Sequence, residues 1–279
     1  MVIRSELPVR VTAVQTPVIE PRQPLLPILQ QSLPRPLRDG DILCVASKVV
    51  ALEQGRIVEL ASVEPSPAAR QARRLDAGKD PETYARWMEL ILREADHVFA
   101  SNVIWLTLKD GILIANAGID MSNAPLGHVV LWPHRPWEWA KGFWQDLRAA
   151  YGIERVGVIL TDARSTPLRR GFTGMALAFW GFEGLDVQKG QPDLFGRPLQ
   201  YTERMVADGL AAAAVVVGGE ANERTPFVLI EDAPVTFTER ELRPEEILVP
   251  ADRDIFSVIY NEEFKAAAGG RPAPNPTGG

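Results

Sequence analysis

The 279 residues are 46% hydrophobic and 24% charged, ordinary values for a globular protein with a real core, and enough for one large or two modest domains. A net charge of −6 argues against general nucleic-acid binding through a basic domain, while leaving room for a local basic pocket. One cysteine, Cys44, allows no internal disulfide. There is no signal-peptide core at the amino terminus and no apolar run of membrane-spanning length. The expectation is a cytoplasmic protein with no membrane and no nucleic-acid partner.

Residues 9–14 alternate like a short strand, and Thr16-Pro17-Val18-Ile19 leaves it as an extended loop, because the residue before proline is pushed out of helical space. Leu25 to Leu33 has helical spacing. Ile42 to Val50, ILCVASKVV, reads as a near-continuous apolar strand interrupted at Ser47-Lys48. Two readings stay open there. Lys48 is presented from the strand end to an anionic ligand, or the strand stops at Ala46 and Lys48 belongs to a following helix. Cys44 in this run reads as a buried small hydrophobe. A short helix is expected from Ala68 toward Leu75. Asp80-Pro81 supplies a helix cap and first helical residue, followed by an apolar face at Tyr84, Trp87, Met88, Ile91, Leu92 and Ala95. Residues 103–108 and 111–115 read as strands joined by a tight Lys109-Asp110-Gly111 hairpin.

The polar, small-residue loop from Asn116 to Asn123 carries Asp120 and Asn123 beside Gly118, a composition that suits a metal or phosphate loop and equally an Asx turn. Another strand is expected over 129–132. A helix is expected over 136–151, with Trp137, Ala140, Trp144 and Leu147 on one face, read as core or a subunit interface. An apolar strand over 156–160 then delivers Thr161 and Asp162 to its end. A polar loop from Ala163 to Thr166, Pro167, the adjacent cations Arg169 and Arg170, and Gly171 follow. A strand-end carboxylate followed by paired guanidinium groups can bind metal and phosphate together. The small, apolar stretch 171–182 is expected to form a helix packed closely against another element. A loop follows, then a helix over 202–216 ended by Gly218-Gly219-Glu220, and a strand over 227–230. The Gly-, Pro- and Ala-rich residues 266–279 read as a disordered tail behind a domain over 1–265.

Asp120, Asp162 and Glu220 thus each lie at an element end in a polar, glycine-bearing context, with Lys48 and several arginines in similar places. Carboxylates bind hard metals and cations neutralise phosphate oxygens, so this is the inventory of a metal and nucleotide site. Neither a Walker A sequence nor a Rossmann glycine fingerprint is present.

On DGDILCVASKVV, ANAGIDMSN, TDARSTPLRRG, DLFGRPL and ADGLAAAAVVVGGEANERTP, in order over residues 8–235, the chain resembles the coenzyme F420-0:γ-glutamyl ligase family. The resemblance implies an α+β fold of two intertwined mixed α/β lobes, assembled as a homodimer. It implies GTP-dependent addition of L-glutamate to a carboxylate of an anionic coenzyme precursor, and two Mg²⁺ or Mn²⁺ ions at the nucleotide phosphates. Carried over by motif, Asp120, Asp162 and Glu220 are metal ligands. Thr16, Pro17, Val18, Ile19, Ser47, Lys48, Asn123, Gly218 and Gly219 are nucleotide contacts, and Arg169 and Arg170 face anionic substrate. The deazaflavin enzymes usually read SDTFGRPWRRG in the central motif. Here Ala163 replaces a hydroxyl residue, Arg164-Ser165 replaces Phe-Gly, Leu168 replaces Trp, and Phe172 and Gly174 replace polar residues. This is closer to the branch assigned to folate metabolism, which reads TDSRTTPLRRG. Two further readings use the same residues: a metal-dependent phosphohydrolase, and a non-catalytic nucleotide-binding regulatory protein.

Overall fold

A computed structural model describes residues 8–75, 78–99 and 104–260. In chain order its elements are β1 (Arg10–Val14), α1 (Leu25–Ser32), β2 (Ile42–Ala46), α2 (Ser47–Glu53), β3 (Ile57–Glu59), α3 (Pro67–Gln71), α4 (Pro81–Glu94), β4 (His97–Phe99), β5 (Leu106–Lys109), β6 (Ile112–Ala115), β7 (His128–Val130), α5 (Pro136–Tyr151), β8 (Gly157–Ser165), β9 (Phe172–Trp180), β10 (Leu185–Val187), β11 (Glu203–Met205), α6 (Val206–Gly218) and β12 (Phe227–Glu231). The result is a mixed α/β fold with several sheets. It divides into two units, one from residues 8–54 and 133–246, the other from the described residues of 55–132 and 247–260. No described helix is long and apolar enough to cross a membrane.

The first unit is built on a five-stranded sheet in the order β1-β12-β2-β8-β9. β2 and β8 run parallel, pairing Ile42 with Gly157 through Ala46 with Thr161; the other neighbours are antiparallel. Leu43, Val45, Val158, Ile159 and Leu160 are buried, and the near-continuous apolar runs in β2 and β8 reflect strands covered on both faces. Cys44 lies in the same layer, and burial pushes its thiol well above the usual range. One end of the sheet is tied by Arg35, which donates to both Asp41 oxygens at 2.7 and 2.9 Å and to Glu231 at 2.6 Å. That hydrogen bond from Arg35 holds the Glu231 carboxyl below its ordinary range.

The second unit packs α4 over a core that includes Tyr84, Met88, Ile91, Trp105, Ile119, Val129 and Leu131. Asp80 caps α4 as its sequence demands, accepting from the backbone of Glu82 and Thr83. The β5–β6 hairpin turns at Asp110 and Gly111, both at positive φ. Residue 103, expected to open a strand, and the tail 266–279 lie outside the described residues.

Several expected elements differ; α3 ends at Gln71, short of Leu75, and β5 begins at Leu106, after Trp105. The apolar strand from Ile42 ends at Ala46, and Ser47-Lys48 begin α2. The loop expected at Ala163–Thr166 is strand through Ser165, because β9 pairs with it as far as Phe172. The helix expected over 171–182 is instead β9. Its residues from Gly174 to Trp180 are buried beneath α5 and α6, so the polar–apolar alternation that marks a strand is lost. The close approach expected of this stretch does occur: a Cβ on Gly174 would collide with the Ala211 carbonyl oxygen of α6. The helix expected from residue 202 starts at Val206, since Glu203–Met205 is committed to a ladder with β10.

Gly174→Ala is therefore expected to destabilise the protein by about 1–3 kcal/mol through overpacking against backbone. Urea unfolding of the two proteins measures it, and equal midpoints would contradict the packing described.

Candidate active site

The carboxyl ends of β1 and β2 and the amino end of β12 lie at the same edge of the first unit's sheet, since Val14 and Val45 both pair with Phe227. Backbone bonds fasten the loops at this edge to one another. Thr16 N donates to Arg224 O at 2.8 Å, and Ala46 N donates to Pro226 O at 2.9 Å. The Thr225 hydroxyl donates to Gly218 O. Thr16, Ser47, Lys48, Gly218 and Gly219, separated widely in sequence, therefore belong to one set of linked loops and helix ends.

Asp162 joins this set through the parallel pairing of β2 with β8. Ala46 lies opposite Thr161, so the next residues along, Ser47 and Asp162, are neighbours. The Ser47 hydroxyl donates to Asp162 Oδ2 at 2.7 Å, and the backbone N–H of Ala163 donates to Oδ1 at 2.7 Å. Ser47 is buried and Asp162 half-buried, so this carboxylate is held in place and still reaches solvent. Lys48, in the first turn of α2, is half-buried. Of the two sequence readings for Lys48, the structure bears out the second: the strand stops at Ala46 and Lys48 lies in the first turn of the following helix.

Pro17 and Val18 are exposed, while Thr16 and Ile19 are buried. Gly219 closes α6 at φ +77, a conformation that favours glycine. Glu220 follows it, exposed. Glu223 in the same loop, which the sequence reading passed over, accepts from Ala221 N at 2.8 Å and folds over Gly219. The GGEANE composition was its only signal. Arg169 and Arg170 sit exposed in the β8–β9 turn, flanked by Leu168 and Gly171 at positive φ.

Asp120 and Asn123 belong to the second unit. Asn116, Ala117 and Gly118 are consecutively left-handed, and a Cβ on Gly118 would strike the Trp132 ring. This turn delivers Asp120 to a two-way backbone bridge with Val130, at 2.9 and 2.8 Å. Its carboxylate accepts from Ser122 N at 2.6 Å and from Ser122 Oγ at 2.8 Å, so the Asx turn read from sequence is formed. Asn123 is left-handed at φ 56. Among the described residues, no three His, Cys, Asp or Glu side chains form a group that could hold a metal ion. Asp162, Asp120 and Glu220, each taken by itself, carry carboxylate oxygens, the donor type a hard divalent cation takes, on side chains that are not fully buried.

The first unit is thus a mixed α/β fold whose sheet gathers a lysine, a fixed carboxylate and a glycine-bearing loop where its parallel pair β2–β8 ends. A family model described as F420-0:Gamma-glutamyl ligase matches residues 13–232. The chain is 37% identical over 224 residues to the Coenzyme F420:L-glutamate ligase of Methanopyrus kandleri, covering 79% of this chain and 86% of that one. It is 35% identical to the proteins of the same name from Methanocaldococcus jannaschii and Methanothermobacter thermautotrophicus, again over 79% of this chain and 86% of theirs. The chain belongs to the F420-0:gamma-glutamyl ligase family, and it is a ligase.

Ser47→Ala removes a hydrogen bond to a charged group, a contribution of about 1.5–3 kcal/mol. Turnover is expected to fall by roughly tenfold or more, with circular dichroism unchanged. Steady-state kinetics check it, and wild-type turnover would contradict the role given to this hydroxyl.

Proposed function

We propose that this ligase joins L-glutamate to a carboxylate of coenzyme F420-0, or of the growing coenzyme, using GTP. The observation that carries the reading is the Ser47–Asp162 pair at the sheet edge, in a chain whose relatives bear the name Coenzyme F420:L-glutamate ligase. The acceptor carboxylate attacks the γ-phosphorus and GDP leaves. The glutamate amine then attacks the acyl carbon, phosphate departs, and the amine gives up a proton. Asp162, Glu220 and Asp120 are the residues that would hold two divalent ions, Mg²⁺ or Mn²⁺. Bound there, such ions neutralise phosphate charge as Lewis acids.

The chain's own groups do the rest. Ser47 and the Ala163 N–H keep the Asp162 carboxylate in one orientation. Thr16 to Ile19, Lys48, Asn123 and the Gly218-Gly219 turn contact the nucleotide, with Lys48 offsetting phosphate charge. Arg169 and Arg170, exposed and adjacent, receive the anionic substrate. The two mixed α/β lobes are those of an intertwined homodimer; a second copy of the chain would cover Leu168, Phe172, Leu194, Phe195 and Tyr201, apolar side chains that the monomer leaves exposed.

The central motif, TDARSTPLRRG, favours a folate-type pterin as the second acceptor to compare. Mass spectrometry with labelled L-glutamate, GTP and each acceptor is expected to show glutamyl addition to F420-0. Addition only to the pterin would overturn the acceptor. Phosphate release indifferent to glutamate would favour a phosphohydrolase, and binding of GTP without turnover a regulatory protein. Asp162→Asn is expected to abolish metal-dependent nucleotide turnover, and unchanged turnover would remove Asp162 from the site.

A further inference from the structure

Between Leu160 and Thr161 the β8–β9 ladder slips: Leu160 pairs with Ala178 but Thr161 pairs with Ala176, leaving Leu177 as an extra residue on β9. A bulge of this kind bends its strand and re-aims the side chains beside it. Here it falls immediately before Asp162. The bulge is held from outside the sheet by Asp208, in the first turn of α6. Asp208 Oδ1 accepts from the backbone N–H of Ala176 at 2.9 Å, and Oδ2 accepts from Arg164 at 3.1 Å. One contact lies opposite Thr161, the residue before Asp162. The other is on β8 itself, two residues after it. A single half-buried carboxylate therefore brackets Asp162 along the strand, while Ser47 and Ala163 hold the Asp162 carboxylate itself.

We propose that Asp208 is a positioning residue for Asp162, fixing the bulged end of β8 so that the Asp162 carboxylate is aimed for cation binding. The inference rests on the reading of Asp162 as a metal-binding carboxylate. Asp208 acts only through the strand. The packing of α6 against Gly174 makes the bracket stiff, because the helix backbone sits directly on β9 a few residues along. Arg164 contributes the weaker half, since its pair with Asp208 is partly exposed to solvent.

Manganese alone is the probe, titrated into full-length protein with GDP present and followed by the electron paramagnetic resonance of free Mn²⁺. Asp208→Ala is expected to weaken Mn²⁺ binding by about 10-fold to 100-fold, the usual cost of removing a group that orients a ligand. Asp208→Asn keeps an acceptor for Ala176 N–H and is expected to fall between Ala and wild type. Arg164→Ala is expected to shift binding less than Asp208→Ala. A purely structural Asp208 would lower the melting temperature and leave Mn²⁺ affinity unchanged, which would overturn the proposal. If Asp208→Ala does not fold, Asp208→Asn decides, and wild-type affinity in that variant overturns it. Failure of the wild-type protein to bind Mn²⁺ would instead overturn the metal reading of Asp162 together with this inference.

Discussion

The parallel pairing of β2 with β8 is the constraint on which the candidate site depends. It places Ala46 opposite Thr161, and one residue further along it brings Ser47 to Asp162. A half-buried carboxylate on a strand is otherwise free to rotate into solvent. Here each carboxylate oxygen has a donor at 2.7 Å, one of them from the first residue of a helix. Stopping β2 at Ala46 and turning at once into α2 is what puts the hydroxyl there. Had the strand continued through Val50, Ser47 and Lys48 would have faced opposite sides of the sheet.

Around this pair the first unit fastens its loops by backbone bonds. Thr16 is joined to Arg224, and Ala46 to Pro226, so the segment after Gly219 is gripped from two strands at once. Glycine at 219 is favoured by its positive φ. In the second unit an analogous problem is solved differently. Three consecutive left-handed residues, the last a glycine with the Trp132 ring packed where a Cβ would stand, deliver Asp120 already turned onto Ser122. Backbone held in such costly conformations is tolerated where surrounding structure over-determines it.

Much of this was legible in the sequence where the signal is local. Asp80-Pro81 marked the start of α4, and the Pro136–Tyr151 helix follows its apolar spacing to the residue. Asp162 after its apolar run, loop-borne Asp120 and the Gly-Gly-Glu turn were visible as an inventory, although Asp162 proves to lie inside β8 and not at its end. What was not legible is nonlocal. The Ser47–Asp162 bond joins residues 115 apart, and nothing in either segment announces the other. The second half of β8, Thr-Asp-Ala-Arg-Ser, lacks the apolar content of a strand and becomes one only because β9 pairs with it. β9 in turn is small and uniformly apolar because helices cover it, so its sequence resembles a packed helix. Asp208 was hidden inside what read as the middle of a helix, whereas it lies in the first turn and reaches sideways to a bulge.

Under the proposed function, a divalent ion meets the Asp162 carboxylate when nucleotide is bound. Crystals of the wild-type protein grown with Mn²⁺ and GDP, with diffraction data collected to reveal manganese by its anomalous scattering, test this directly. An anomalous peak within coordination distance of Asp162 is the result expected. Bound GDP with manganese only elsewhere, and the Ser47–Asp162 pair left untouched, would contradict it.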